Sequence, residues 1–141
     1  MKSKESISSI VSWHEKTFPD ATLEKQQEKF CDEFAEFRKC DDAHRDHRLE
    51  ELADCFIVAC GISRFSTDLA LQAFATVADY HTVQQDGNLQ VAIDRKMAIN
   101  RRRKWNAQNG KYQHKESWWR KLWTKKRQSI TSRQSKWLKK I

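Results

Sequence analysis

Glu51-Leu52-Ala53-Asp54-Cys55-Phe56-Ile57-Val58 is the stretch on which the fold of this chain turns, and Glu33-Phe34-Ala35-Glu36 is its counterpart upstream. Two acids three residues apart project from one side of a helix. On a helical wheel Glu51 and Asp54 lie on the stripe that continues into Val58, Ile62 and Phe65. Glu33 and Glu36 border the stripe of Phe30 and Phe37. Solvated acids normally take the face opposite the apolar one. These four sit at the edge of, or within, the surface that should be buried, so packing the two helices together gathers four negative charges in one crevice. Such a crevice is costly unless protons or cations neutralise it. Oxygen-only ligation suits a hard divalent cation, Mg²⁺ first, with Mn²⁺ able to substitute. The competing reading of the spacing is an acid-rich solvated face, and Glu28, Asp32 and Glu50 show that not every acid nearby can be a ligand. A di-iron centre would call for Glu-x-x-His motifs; the nearest approach is Asp41-x-x-His44.

A second constellation follows in Arg95 to Trp105, where Lys96, Asn100 and Arg103 are spaced to share one helical face. An ammonium, an amide and a guanidinium in a row suit a polyanion, especially phosphates bridged by metal ions. Alone, the row reads sooner as a basic, solvated helix end at the negative pole of the helix dipole than as a phosphate site. An acidic cluster upstream favours the phosphate reading, because metal and phosphate sites occur together. No Gly-x-Ser-x-Gly and no glycine-lysine phosphate loop is present, and three glycines are too few for a backbone cradle.

The 141 residues, 38% hydrophobic and 11% aromatic, suffice for one core, and a single Pro disfavours a turn-rich β fold. The periodicity predicts helices only: about Ser3 to Lys16, with Ile7, Ile10, Val11 and His14 on one stripe; from an Asp20 or Thr22 cap to Lys39; Arg48 to Phe65; from a Ser66 or Thr67 cap to Gln84; and Leu89 to Trp105. Cys40 to His47 reads as a charged connector, and Asp86-Gly87-Asn88 as a turn. An antiparallel all-α bundle is the economical way to bury these stripes. Cys31, Cys40, Cys55 and Cys60 show no C-x-x-C spacing, so reduced thiols in a cytoplasmic protein are expected. No signal-peptide pattern and no bilayer-length apolar run is seen. Cys40, His44 and His47 make only a weak zinc pattern.

The order Glu-x-x-Glu, connector, Glu-x-x-Asp, then Lys-x-x-x-Asn resembles the all-α nucleoside triphosphate pyrophosphohydrolases: MazG-like proteins, dimeric dUTPases and phosphoribosyl-ATP pyrophosphohydrolase. The likeness runs from about Ile7 to Trp105 and includes Phe18-Pro19-Asp20-Ala21-Thr22; Glu50 to Ile57 is its most family-like piece. The resemblance implies an antiparallel MazG-like bundle with Glu33, Glu36, Glu51 and Asp54 as Mg²⁺ ligands. Glu33 or Glu36 would also orient the attacking water, and Lys96 and Asn100 would contact the phosphates or the metal-bridged oxygens, with Arg103 of the same basic row as a further phosphate candidate by its spacing. The implied reaction converts a (deoxy)nucleoside triphosphate to monophosphate and pyrophosphate, in a homodimer or homotetramer. Trp13, His14 and Phe18 are expected either to cover the base or to serve as ordinary core. Asp32 before Glu33 and Cys55 after Asp54 depart from the usual family residues without removing a ligand.

Charge divides the chain. Residues 1–114 hold 17 Lys or Arg against 18 Asp or Glu; residues 115–141 hold ten against one. The net charge of +8 therefore describes a basic tail appended to a near-neutral catalytic domain of residues 1–114. Trp119, Trp123, Ile130, Trp137 and Ile141 fall on one helical stripe in that tail. Such a stripe suits an anionic membrane surface, nucleic acid, an acidic partner, or packing back on the bundle. The functional alternative is accordingly a non-enzymatic helical module that binds through its tail.

Overall fold

The computed structural model describes residues 4–40, 45–84, 88–108 and 111–114. The basic stripe from Trp119 to Ile141, with His44, lies outside them. Among the described residues five helices make the body: α1 (Ile7–Thr17), α2 (Leu23–Lys39), α3 (Arg45–Ser63), α4 (Thr67–Gln84) and α5 (Leu89–Arg102). An all-α class is what the apolar periodicity called for. The helix starts follow short polar caps. Ser6 accepts from the Ser9 N–H and Ser9 reciprocates, Thr22 accepts from the Lys25 N–H, Ser66 from that of Leu69, and Asn88 from that of Val91. Each cap satisfies an N–H that has no partner within its own helix.

α3 is the axis of the molecule and packs against each of the other four helices. Its sequence explains why. Leu52, Ala53, Cys55 and the run from Ile57 to Ile62 are apolar or glycine and point all round the helix, so one burying face is not enough. Two cores result. Phe30, Phe34 and Phe37 of α2 meet Leu52, Val58 and Ile62 of α3 and Ala70, Ala73 and Val77 of α4, with Tyr80 set edge-on to Phe34 at 5.2 Å and to Phe37 at 5.4 Å. On the other side, Ile10 and Trp13 of α1 meet Ala53, Ile57 and Cys60 of α3 and Ala92, Ile93 and Met97 of α5. The cysteines are all free thiols, three of them buried.

Three sequence expectations are corrected, and one anchoring contact is added to them. Ile7 is 46% exposed and Phe65 40% exposed, because each stands at a helix end beyond its packing partners. The segment before Arg48 is not all connector: α3 begins at Arg45, and Arg48 donates to the Cys40 carbonyl just past α2, with its guanidinium 4.8 Å above the Phe37 ring. A cation there complements the negative end of α2. The fifth helix stops at Arg102. Arg103 turns extended, and the chain enters an antiparallel ribbon in which Trp105–Gln108 (β1) pairs with Lys111–His114 (β2). Finally, α1 is anchored by a group the periodicity does not show: both Glu5 carboxylate oxygens accept from Arg101, at 2.8 and 3.1 Å, while the Glu5 N–H donates to Asp94.

α1, α2 and α3 meet at a buried polar knot. The His14 Nδ1 faces an Arg64 guanidinium nitrogen at 2.8 Å, and its Nε2 faces Gln26 Oε1 at 3.1 Å. Guanidinium has donors only, so Nδ1 accepts and the Nε2–H donates to Gln26. Burial, then the Arg64 charge, pushes the His14 imidazole down to about pKa 4. Since the unfolded imidazole takes a proton near pH 6.5, the neutral native ring contributes stability that is full above that pH. That stability is lost as pH falls to about 4, on the order of 3 kcal/mol in all. Nitrogen-15 NMR of the His14 ring is expected to show the Nε2–H tautomer at pH 7 and a midpoint near 4. A midpoint near 6.5 would contradict the knot.

Gly61 passes directly over this knot. A Cβ there would stand 2.7 Å from both Gln26 Oε1 and His14 Nε2. The Gln26 amide can swing away, but the His14 ring is wedged edge-on against Phe18 at 4.9 Å. Gly61→Ala is therefore expected to destabilise by about 1–3 kcal/mol despite Ala's better helix propensity. Urea unfolding measures it; unchanged or raised stability would count against the packing described.

Candidate metal and phosphate site

α2 and α3 present their acids to each other where the predicted stripes meet. Carboxylate oxygens of Glu33, Glu51 and Asp54 lie within 4.8 Å of one another. Like charges at about 4 Å repel by roughly 4 kcal/mol per pair at an effective dielectric of 20. Glu51 shows the strain most clearly. It is 7% exposed, and burial, followed by the charges of Asp54 and Glu33, pushes its carboxyl up to about pKa 8. Asp54 is also raised by burial, against the pull of Lys96. Glu36 stands outside the three-carboxylate group, half-buried, yet its charge too acts to raise Glu51. Beneath the acids the Cys55 thiol is fully buried and pushed well up, a structural thiol rather than a nucleophile.

α5 supplies the opposite charge. Lys96 Nζ lies 3.3 Å from Asp54 Oδ2. Asn100, one turn on, is buried, and its Oδ1 accepts from Arg103 at 3.4 Å. Arg103 does not share their helical face by register, since α5 has already ended. It returns to the row through that bond to Asn100, and its charge acts to lower Asp54. Lys96 and Asn100 thus share a face of α5, whereas Arg103 lies off it and reaches Asn100 only through that bond.

Trp13, His14 and Phe18 are buried together. Their rings, with Trp105, form an edge-to-face group at 4.9–6.2 Å. In this conformation they turn towards one another in the α1–α3–α5 core, which is the core alternative weighed for them. Two neighbours of the acids were not placed beside them by the sequence. Lys29, one turn before Glu33 on α2, sits 5.5 Å over the Trp105 ring, and its charge acts to lower Asp54. The only signal for it was its i, i+4 spacing to Glu33. His47 is helical rather than in a connector and holds Nε2 3.5 Å from Glu51 Oε1.

Three carboxylates from two rigid helices, at chelating separation and with oxygen donors alone, fit a hard divalent cation. Comparison of the chain with protein families, with curated proteins and with solved structures returned no match.

Proposed function

We propose that the chain is a Mg²⁺-dependent nucleoside triphosphate pyrophosphohydrolase of the MazG-like kind. The observation that carries this reading is the meeting of Glu33, Glu51 and Asp54, an acidic centre inside a helical core, with Lys96 against Asp54. Glu33, Glu51 and Asp54 would hold Mg²⁺, with Glu36 beside them; Mn²⁺ would also be accepted. The ion, when bound, neutralises phosphoryl oxygens and lowers the pKa of water. The chain's own residues do the rest. Glu33 or Glu36 accepts the proton of the attacking water. Lys96, Asn100 and Arg103 hold the phosphates against the acids. One phosphoanhydride bond breaks, and monophosphate and pyrophosphate leave.

On the same reading the helical domain works as a homodimer or homotetramer in the cytoplasm, with residues 115–141 directing assembly or contact with nucleic acid or anionic membrane. Among the described residues no helix is long and apolar enough to cross a membrane. A panel of canonical and modified (deoxy)nucleoside triphosphates, assayed for pyrophosphate with Mg²⁺ and with chelator, tests the proposal. Mg²⁺-dependent pyrophosphate release is expected. No release from any substrate, together with tail-dependent binding to nucleic acid or vesicles, would favour the binding module instead.

A further inference from the structure

Among the described helices α4 alone has no Lys or Arg, in a chain whose net charge is +8. Its inner side rests on α3 through Ala70, Ala73 and Val77, and Tyr80 reaches Phe34 and Phe37 of α2. The opposite side is a different surface. Leu71 is 61% exposed there, and Ala75 and Ala78 are exposed with it. At i, i+4 and i+7 the three share one face. Asp68 and Asp79, also exposed, line one edge of that face about three turns apart.

An apolar face with an acidic edge fits a partner that is apolar and basic. Asp68 stands in the first turn of α4, where the helix dipole favours a carboxylate. Asp79 lies towards the other end and has no such support. Two α4 faces set together would bring acids and no Lys or Arg to the seam, which disfavours a second copy. Phosphates of nucleic acid or lipid would be repelled in the same way. The chain itself carries the matching chemistry. Residues 115–141 hold ten Lys or Arg against one acid, with Trp119, Trp123 and Ile130 on one helical stripe of the sequence. They follow directly on β2, which lies against α2, the helix that Tyr80 of α4 also meets. A helix of that length would span about 40 Å, more than the width of a small domain, so α4 is within reach.

We infer that the outer face of α4 is the docking surface for residues 115–141 of the same chain, with indoles covering Leu71 and basic side chains set against Asp68 and Asp79. Joined by the chain, the segment meets this face at a high effective concentration, which favours its own α4 over another molecule's. Salt weakens the charged part of the contact, and apolar burial retains the rest. A polyanion that takes up the cations competes with α4 for the segment. The inference goes beyond the reading of the acidic centre and does not rest on it, since none of the proposed ligands lies on α4.

A carbodiimide joins a carboxylate to a lysine amine where the two touch, so cross-linking of the full chain, read by peptide mass spectrometry, reports the contact directly. Asp68 and Asp79 are expected to link to lysines of 115–141, and within one molecule when isotope-labelled and unlabelled chains are mixed. Leu71→Lys should cut these links about tenfold by removing the apolar seat and adding a like charge. Val91→Lys, the same change at a side chain 49% exposed on α5, should leave them unaltered. Acrylamide quenching of indole fluorescence should rise in Leu71→Lys as well, since Trp118, Trp119, Trp123 and Trp137 belong to the segment. Circular dichroism shows whether each variant is folded, and Leu71→Gln serves if Leu71→Lys is not. No link from Asp68 or Asp79 to the segment, equal linking in a folded Leu71 variant, or links mainly between molecules would each overturn the inference. None of these results bears on Glu33, Glu51 and Asp54, whose reading is tested by Mg²⁺-dependent pyrophosphate release.

Discussion

Glu51→Gln is expected to lower Mg²⁺-dependent pyrophosphate release by about a hundredfold or more while making the metal-free protein more stable. The two effects have one cause. Glu51 is the most buried of the acids, and its carboxyl is pushed up to about pKa 8 by burial and by Asp54 and Glu33. A native group that holds its proton more tightly than the unfolded chain contributes stability below the unfolded pKa, near 4.5. That contribution is lost as pH rises through about 8. At pH 7 the shift corresponds to about 3 kcal/mol relative to a side chain that need not ionise. The amide is nearly the same shape and does not ionise, so the variant's stability should vary less between pH 4.5 and 8. A divalent cation reverses the sign for the unaltered protein: it favours the ionised carboxylate, and binding to the folded state alone adds stability. The unaltered chain should therefore gain melting temperature on adding Mg²⁺, and Glu51→Gln should gain much less. Asp54→Asn is expected to behave alike in hydrolysis. Near-normal turnover in either variant, or equal Mg²⁺ stabilisation of both, would remove these acids from the metal site.

Lys96→Ala should move stability the other way. Its ammonium is 3.3 Å from Asp54 and is itself half-buried, and its own pKa is raised by Asp54 and Glu51 against the effect of burial. Removing it leaves the carboxylates facing one another with less compensation, and breaking a partly buried pair from one side leaves the other charge exposed to the full repulsion. The metal-free variant is expected to melt lower, and Mg²⁺ to restore most of the difference. Mg²⁺ affinity should be at least as high as in the unaltered chain, since a competing cation has gone. Triphosphate turnover should nonetheless fall by about tenfold or more in both kcat and kcat/KM, as for loss of a contact made mainly in the transition state. The opposite stability signs of Glu51→Gln and Lys96→Ala distinguish an acidic site with an embedded counter-ion from an ordinary surface salt bridge, where both changes would be small. Unaltered turnover in Lys96→Ala would return the basic row to a solvated helix end.

Much of the site was legible because its spacing is helical and its chemistry is out of place. Glu51 and Asp54 could be singled out from sequence because acids on an apolar stripe contradict simple patterning. Both do lie at the buried interface of α2 and α3. Lys96 could be placed near them only as one member of a basic row. That it pairs with Asp54 depends on α5 packing against α3, which no local pattern encodes. The Arg103 expectation assumed that the helix continued. Instead the last carbonyls of α5 take the Arg103 N–H and the Trp105 indole, so the chain leaves the helix three residues earlier than its periodicity suggests.

Lys29 and Gly61 show the other side of the division. Four residues from an acid, a lysine reads as a routine helix pair; its place over Trp105 joins residues far apart in sequence. A glycine inside an apolar helix reads as a weak point, and only the approach of His14 and Gln26 from α1 and α2 gives it a steric reason. The chain's own periodicity, caps and acid spacing therefore determined which segments are helical and which faces carry the charge, because those depend on neighbours within about one turn. The tertiary structure decided which acids meet, which cation answers them and where each helix stops, because those depend on contacts between helices whose orientation only the packed cores on the two sides of α3 set.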